Sequence, residues 1–176
     1  FGGQVTWEML RQDSARVSEL VILNTIIYED GFNPPVRMKR GPIAHIAMSL
    51  YRSQLTNKFM LKQLFKMSLH NTELTKTEIK GYQWPMLHGK TKAMYTFFTN
   101  TKYALPDYSA ILKNMTIPVG VVWGKHDKLL QWDVQASSVM QDLHIEPENV
   151  HLVEASHFVQ EETPVAICDA VLNITE

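Results

Sequence analysis

The sequence predicts an α/β fold: a mostly parallel sheet flanked by helices, with a helical segment inserted into it. Three observations carry this. Short apolar runs bounded by turn residues, "LVILN", "VGVVWG" and "VHLV", have the length and β-branched content of buried strands. A helical pattern precedes or follows each of them, and strands alternating with helices favour parallel pairing. The middle third, by contrast, is helical throughout and rich in Met and aromatics.

In chain order, Gln4 to Gln12 places Val5, Met9 and Leu10 at helical spacing. "RVSELVILN", Arg16 to Asn24, then reads as a near-continuous β-type run. "YEDGFNPP", Tyr28 to Pro35, is loop chemistry, because Gly31 and the paired Pro34 and Pro35 stop any regular element. Within the helical stretch, Phe59, Met60, Leu64 and Met67 form an expected buried stripe. "TKTE" at Thr75 to Glu78 has capping-box spacing. Gly81, Pro85 and Gly89 are expected to break the helices. After Pro118 the run Val119 to Gly124 is a strand, and "DVQASSVMQDL" is a helix beginning near Asp133. "IEPEN" is a turn, and Val150 to Val153 a further strand. A last helix follows, with Thr163 as N-cap and Pro164 in its first turn. The expected organisation is therefore a core of residues 1–34 and 109–176 interrupted by a helical cap at 35–108.

Composition limits the partners. The 176 residues are 45% hydrophobic and 20% charged, enough for a real core. A formal charge of −1 offers no electrostatic reason to expect nucleic acid or an anionic membrane. No run approaches the roughly 18 apolar residues of a membrane span. Cys168 stands alone, which excludes an intrachain disulfide, allows a reducing, cytoplasmic setting, and suggests a small buried residue. His45, His70, His88, His144 and His151 show no ligand spacing, so neither metal nor cofactor is expected.

Two acid and base candidates follow the last two strands: Asp127 in "WGKHDKLL" and His157 in "EASHFVQEE". In a parallel sheet both leave at the carboxyl edge, where the sites of α/β proteins gather. A carboxylate that orients an imidazole is half of a nucleophilic hydrolase. Taken alone, His157 would be an ordinary strand-end His and Asp127 a turn residue. His126, beside Asp127, is read as a loop residue, and Glu161 and Glu162 as charges that suit the N-terminus of the next helix. Asn24 ends its strand as an amide, which cannot serve as the acid.

The nucleophile is expected from the start of the chain. In the sharp turn G-x-Nuc-x-G-G the nucleophile stands two residues before the paired Gly, and Gly2 and Gly3 match that pair. It would then precede Phe1, whose backbone N–H would be one oxyanion donor. In this order, "FGGQV", "RVSELVILN", the cap, "PVGVVWGKHDKLL" and "NVHLVEASHFVQEETP", the chain resembles the later two thirds of an α/β-hydrolase-fold enzyme with a helical cap. The resemblance implies a larger parallel sheet whose first strands, with the nucleophile, lie in a missing N-terminal part of the same protein. It implies a small, largely apolar substrate and a nucleophile–His157–Asp127 triad. Phe1 in place of the Trp common in halide-stabilising relatives favours Ser-type ester or acyl hydrolysis. "SHFVQEE" resembles the epoxide hydrolase and haloalkane dehalogenase branch with an Asp nucleophile, and Tyr51, Tyr82, Tyr95 and Tyr103 leave epoxide opening open. A non-catalytic binding protein on the same scaffold is the remaining alternative. Phe59, Phe65, Tyr82, Trp84, Tyr95, Phe97 and Phe98 are expected either to line a substrate pocket or to form the cap's own core.

Overall fold

A computed structural model describes residues 2–28, 42–92, 95–96 and 106–174. The elements run α1 (Gly2–Gln12), β1 (Leu20–Leu23), α2 (Pro42–Arg52), α3 (Asn57–Ser68), α4 (Lys76–Leu87) and α5 (Ser109–Lys113). They continue with β2 (Val119–Gly124), α6 (Trp132–Asp142), β3 (Val150–Val153), α7 (Val159–Glu162) and α8 (Pro164–Ile174). The chain divides into two compact units, Phe1–Asn33 with Pro106–Glu176, and Pro34–Leu105.

In the first unit the three described strands pair in the order β1-β2-β3, all parallel. Leu20 lies opposite Val119 and Leu23 opposite Val122; Val121 lies opposite Val150 and Gly124 opposite Val153. The central strand is buried at all six positions, which is why "VGVVWG" is apolar without alternation. Trp123 contributes the largest side chain there, and its indole N–H donates to the Leu130 carbonyl at 2.9 Å, so burial leaves no polar atom stranded. Strand β1 is shorter than the sequence run. Arg16 and Val17 spend their N–H groups on Asp13 and Ser14 in a 3₁₀ turn, leaving only Leu20–Leu23 for the ladder.

Helix α1 is tied to the loop after β1. Buried Trp7 donates its indole N–H to the Ile26 carbonyl, and the Gly3 N–H donates to the Thr25 hydroxyl at 2.9 Å. A Cβ on Gly3 would stand 2.6 Å from Thr25 Cγ2, so this approach needs a glycine. Cys168, expected inside, is exposed on α8. That helix is apolar nearly all round and only Ala170 is buried, so its inward face cannot be read from periodicity.

In the helical unit, α4 opens on the capping box read from the sequence. The Thr75 hydroxyl accepts from the Glu78 N–H and the Glu78 carboxylate accepts from the Thr75 N–H. The helix then passes through Gly81 and Pro85, where breaks were expected; only Gly89, at φ 67°, lies beyond its end. The lost N–H of Pro85 would have faced the carbonyl of Gly81, four residues back. The buried face of α3 also differs from the expected stripe. It consists of Asn57, Leu61, Phe65 and Ser68, while Phe59 and Met67 are exposed. Asn57 is buried because its side-chain carbonyl accepts from Gln83 of α4, and Phe65 packs edge-on against Tyr82. Tyr95 joins Met60 and Met86 around Ala47, Met48 and Tyr51. Phe65, Tyr82 and Tyr95 therefore serve the core of this unit. The Tyr28–Pro35 loop beyond Tyr28, with Phe97, Phe98 and Tyr103, lies outside the described residues.

Candidate active site

Each of the three strands delivers one polar residue to the same rim: Asn24 directly after β1, Asp127 after β2 and His157 after β3. This follows from parallel pairing, which points every carboxyl end the same way. The Asp127 side chain is 1% exposed, and both of its oxygens are filled. One accepts the backbone N–H groups of Leu129 and Leu130, at 2.8 and 3.1 Å. The other lies 2.7 Å from the Asn24 amide nitrogen and 2.8 Å from Nδ1 of His157.

Burial pushes the Asp127 carboxyl up. The hydrogen bond and charge of His157 oppose this, and with the Asn24 amide and the Leu129 N–H they hold it below its usual value. A carboxylate can only accept, so the proton between the pair sits on Nδ1 and the Nε2 lone pair of His157 is left to act as a base. The imidazole is partly open, at 27% exposure, and Phe158 meets it edge-on at 5.3 Å.

The loops that carry Asp127 and His157 are laced together by main chain. The Lys125 N–H donates to the Val153 carbonyl and the His126 N–H to the Ala155 carbonyl, each at 3.0 Å. The Ser156 hydroxyl returns a bond to the His126 carbonyl. Gly124 allows this, since a Cβ there would stand 2.2 Å from the Ser156 carbonyl oxygen and 2.5 Å from that of Ala155.

Two contributors were missed or misread from sequence. Asn24, read only as an amide unfit to be the acid, clamps the site: its carbonyl accepts the Gly124 N–H at 2.9 Å while its NH₂ donates to Asp127 and to the Ser156 carbonyl. The available signal was a buried amide straight after an apolar strand. Glu162 lies within the short α7, and its carboxylate accepts the Ser156 N–H at 2.7 Å, bracing the residue before His157. Thr163, expected to cap α8, instead donates its hydroxyl to the Val159 carbonyl. His126 contacts Glu154 at 2.9 Å, away from Asp127. The Glu154 carboxyl is lowered to about 2, chiefly by the hydrogen bond from Lys125 and then by that from His126. Phe1, the expected oxyanion donor, lies outside the described residues.

Two outcomes are expected. Asn24→Ala leaves the buried Gly124 N–H unpaired and removes one donor from Asp127, which costs about 1–3 kcal/mol in a urea titration. The Asp127 carboxyl then rises toward its unfolded value. In the wild-type chain its depressed folded value means that stability from this group is fully present above the unfolded carboxyl range, and is lost as pH falls through the folded value. Urea midpoints between pH 3 and 7, on the carboxylate scale, therefore show an acid limb that is steeper in the wild-type chain than in Asp127→Asn. Parallel curves would remove the carboxylate from the account.

No protein-family model matches the chain, and no curated protein matches it. Solved structures do. An α/β hydrolase fold protein from Burkholderia ambifaria is 20% identical with a TM-score of 0.70, over 98% of this chain and 62% of that one. A thermophilic esterase from Thermogutta terrifontis is 14% identical with a TM-score of 0.68, over 98% and 60%. The 2-hydroxy-6-oxo-6-phenylhexa-2,4-dienoate hydrolase of Rhodococcus sp. strain RHA1 is 16% identical with a TM-score of 0.66, over 99% and 61%. The chain has the α/β-hydrolase fold. It spans about three fifths of the length of the structures it matches.

Proposed function

We propose that this chain carries the acid and base of a nucleophile–His–Asp hydrolase that cleaves a small, largely apolar substrate by Ser-type ester or acyl hydrolysis. The observation that supports it is the 2.8 Å contact between His157 Nδ1 and a buried, four-bonded Asp127 at the rim of a parallel sheet. Such an arrangement holds the imidazole in one tautomer and stabilises it when it becomes charged. In this reading Nε2 takes the hydroxyl proton of a Ser preceding Phe1 as that oxygen attacks the carbonyl carbon. The imidazolium then returns the proton to the departing alkoxide, and a water deprotonated by the same nitrogen releases the acid from the acyl-enzyme. The same reading assigns the backbone N–H of Phe1 as one oxyanion donor. The helical unit, Pro34–Leu105, is the candidate cap. An esterase and a dienoate hydrolase among the structural neighbours favour acyl chemistry over displacement of halide.

The test uses the protein expressed from its gene, treated with a fluorophosphonate that phosphorylates activated serines. One adduct per chain on a Ser immediately before Phe1, absent in His157→Gln, is the expected result. No adduct together with turnover of an epoxide or haloalkane transfers the assignment to the Asp-nucleophile branch. No adduct and no turnover on either panel reduces the fold to a binding scaffold.

A further inference from the structure

The overall charge of −1 conceals an uneven division. Pro34–Leu105 holds twelve of the seventeen Lys and Arg but only two of the eighteen Asp and Glu, Glu73 and Glu78. Its formal charge is therefore +10, and that of the rest of the chain −11. Ten net positive charges in one small unit create a positive potential that attracts anionic surfaces.

The described part of this unit shows how the cations are displayed. Lys58, Lys62 and Lys66 recur every fourth residue along α3 and all are exposed, so they form one row. On α4, Lys76 and Lys80 lead at the same spacing into Trp84. Large apolar side chains stand among them in solvent: Leu55 is 93% exposed, Phe59 62% and Trp84 54%. The Trp84 indole is stacked on the His88 ring, 4.2 Å between centroids.

Lysines interleaved with exposed Trp and Phe on helices, with exposed Leu55 in the turn before α3, suit a phospholipid surface. Their charges meet anionic headgroups, their apolar stems and neighbours enter the acyl boundary, and Trp settles at the interface. Nucleic acid fits less well. Nine of the twelve cations are Lys rather than the forked Arg that reads phosphates and bases, and a groove rewards exposed Leu and Phe little. We propose that the helical unit docks on an anionic phospholipid surface through the lysine rows of α3 and α4 and the exposed Leu55, Phe59 and Trp84. No spanning helix is involved, and none of the described helices is long and apolar enough to span. The inference stands independently of the hydrolase assignment.

The test is co-sedimentation of the whole protein with vesicles of equimolar phosphatidylglycerol and phosphatidylcholine, against phosphatidylcholine alone, in about 0.1 M salt. Binding is expected to the first only, and to vanish in about 1 M salt, where charges are screened beyond roughly 3 Å. Each lysine at such a surface is worth about fivefold, so the triple variant Lys58→Gln, Lys62→Gln, Lys66→Gln lowers partitioning roughly a hundredfold. The wild-type indole emission shifts to the blue on binding, and Trp84→Phe removes the shift. These positions are solvent-facing on helices, and circular dichroism of each variant shows that the fold is kept. The proposal is overturned by no sedimentation, by equal binding to neutral vesicles, by an unaffected triple variant, or by a short DNA duplex bound as tightly as charged vesicles.

Discussion

If the proposed hydrolase assignment holds, His157→Gln is expected to lower kcat/KM for a p-nitrophenyl ester by about 10⁴-fold, the scale at which disabling one member of an acid–base–nucleophile set acts. Gln keeps an amide that can still donate toward Asp127, but it has no basic nitrogen to accept the nucleophile's proton. The fold survives, because three donors to the Asp127 carboxylate remain: the Asn24 amide and the N–H groups of Leu129 and Leu130. Stability and turnover therefore separate in this variant, the urea midpoint moving little while the rate collapses. A variant within threefold of wild type would take the base assignment away from His157. A variant that unfolds would show instead that the imidazole is structural.

Gly124→Ala is expected to destabilise by about 3 kcal/mol or more, the range of an overpacked site that cannot relax. The new methyl collides with main-chain carbonyls at 2.2 and 2.5 Å rather than with a flexible side chain. Relief requires the 125–127 and 154–157 segments to part, which breaks their cross-bonds and draws Asp127 from His157. On the proposed assignment turnover is expected to fall together with stability, unlike the His157 case. Gly2→Ala is the matched control, because nothing lies within 4 Å of a Cβ there. Urea titration of the three proteins decides it, and an unshifted Gly124→Ala midpoint would contradict the described approach of the two loops.

The strands, and the meeting of Asp127 with His157 at one rim, were legible in the sequence because they rest on local signals. A bounded apolar run needs no partner to be recognised as a buried strand, and parallel topology then brings strand-end residues to one rim even when 30 positions separate them, as with Asp127 and His157. What stayed hidden depends on a second element. Phe59 outranks Asn57 in any apolar pattern, yet Gln83 of another helix makes Asn57 the buried residue. Pro85 is a breaker by itself and is tolerated with Gly81 one turn before it. Asn24 became a clamp only when the Gly124 N–H and Asp127 were placed on either side of it. Glu162 reads as a charge suited to the N-terminus of the next helix until the Ser156 N–H is seen to point at it. The basic character of the helical unit was masked differently, since a whole-chain sum cancels two opposite halves.

Half of what holds the Asp127 carboxylate comes from the peptide trace and not from side chains, since two of its four bonds come from the N–H groups of Leu129 and Leu130. Exposed Lys128 and half-exposed Leu129 are thus open to almost any replacement. Proline at 129 is the exception: it would delete a donor that no side chain can restore, so the permissive and the forbidden substitution fall on the same residue.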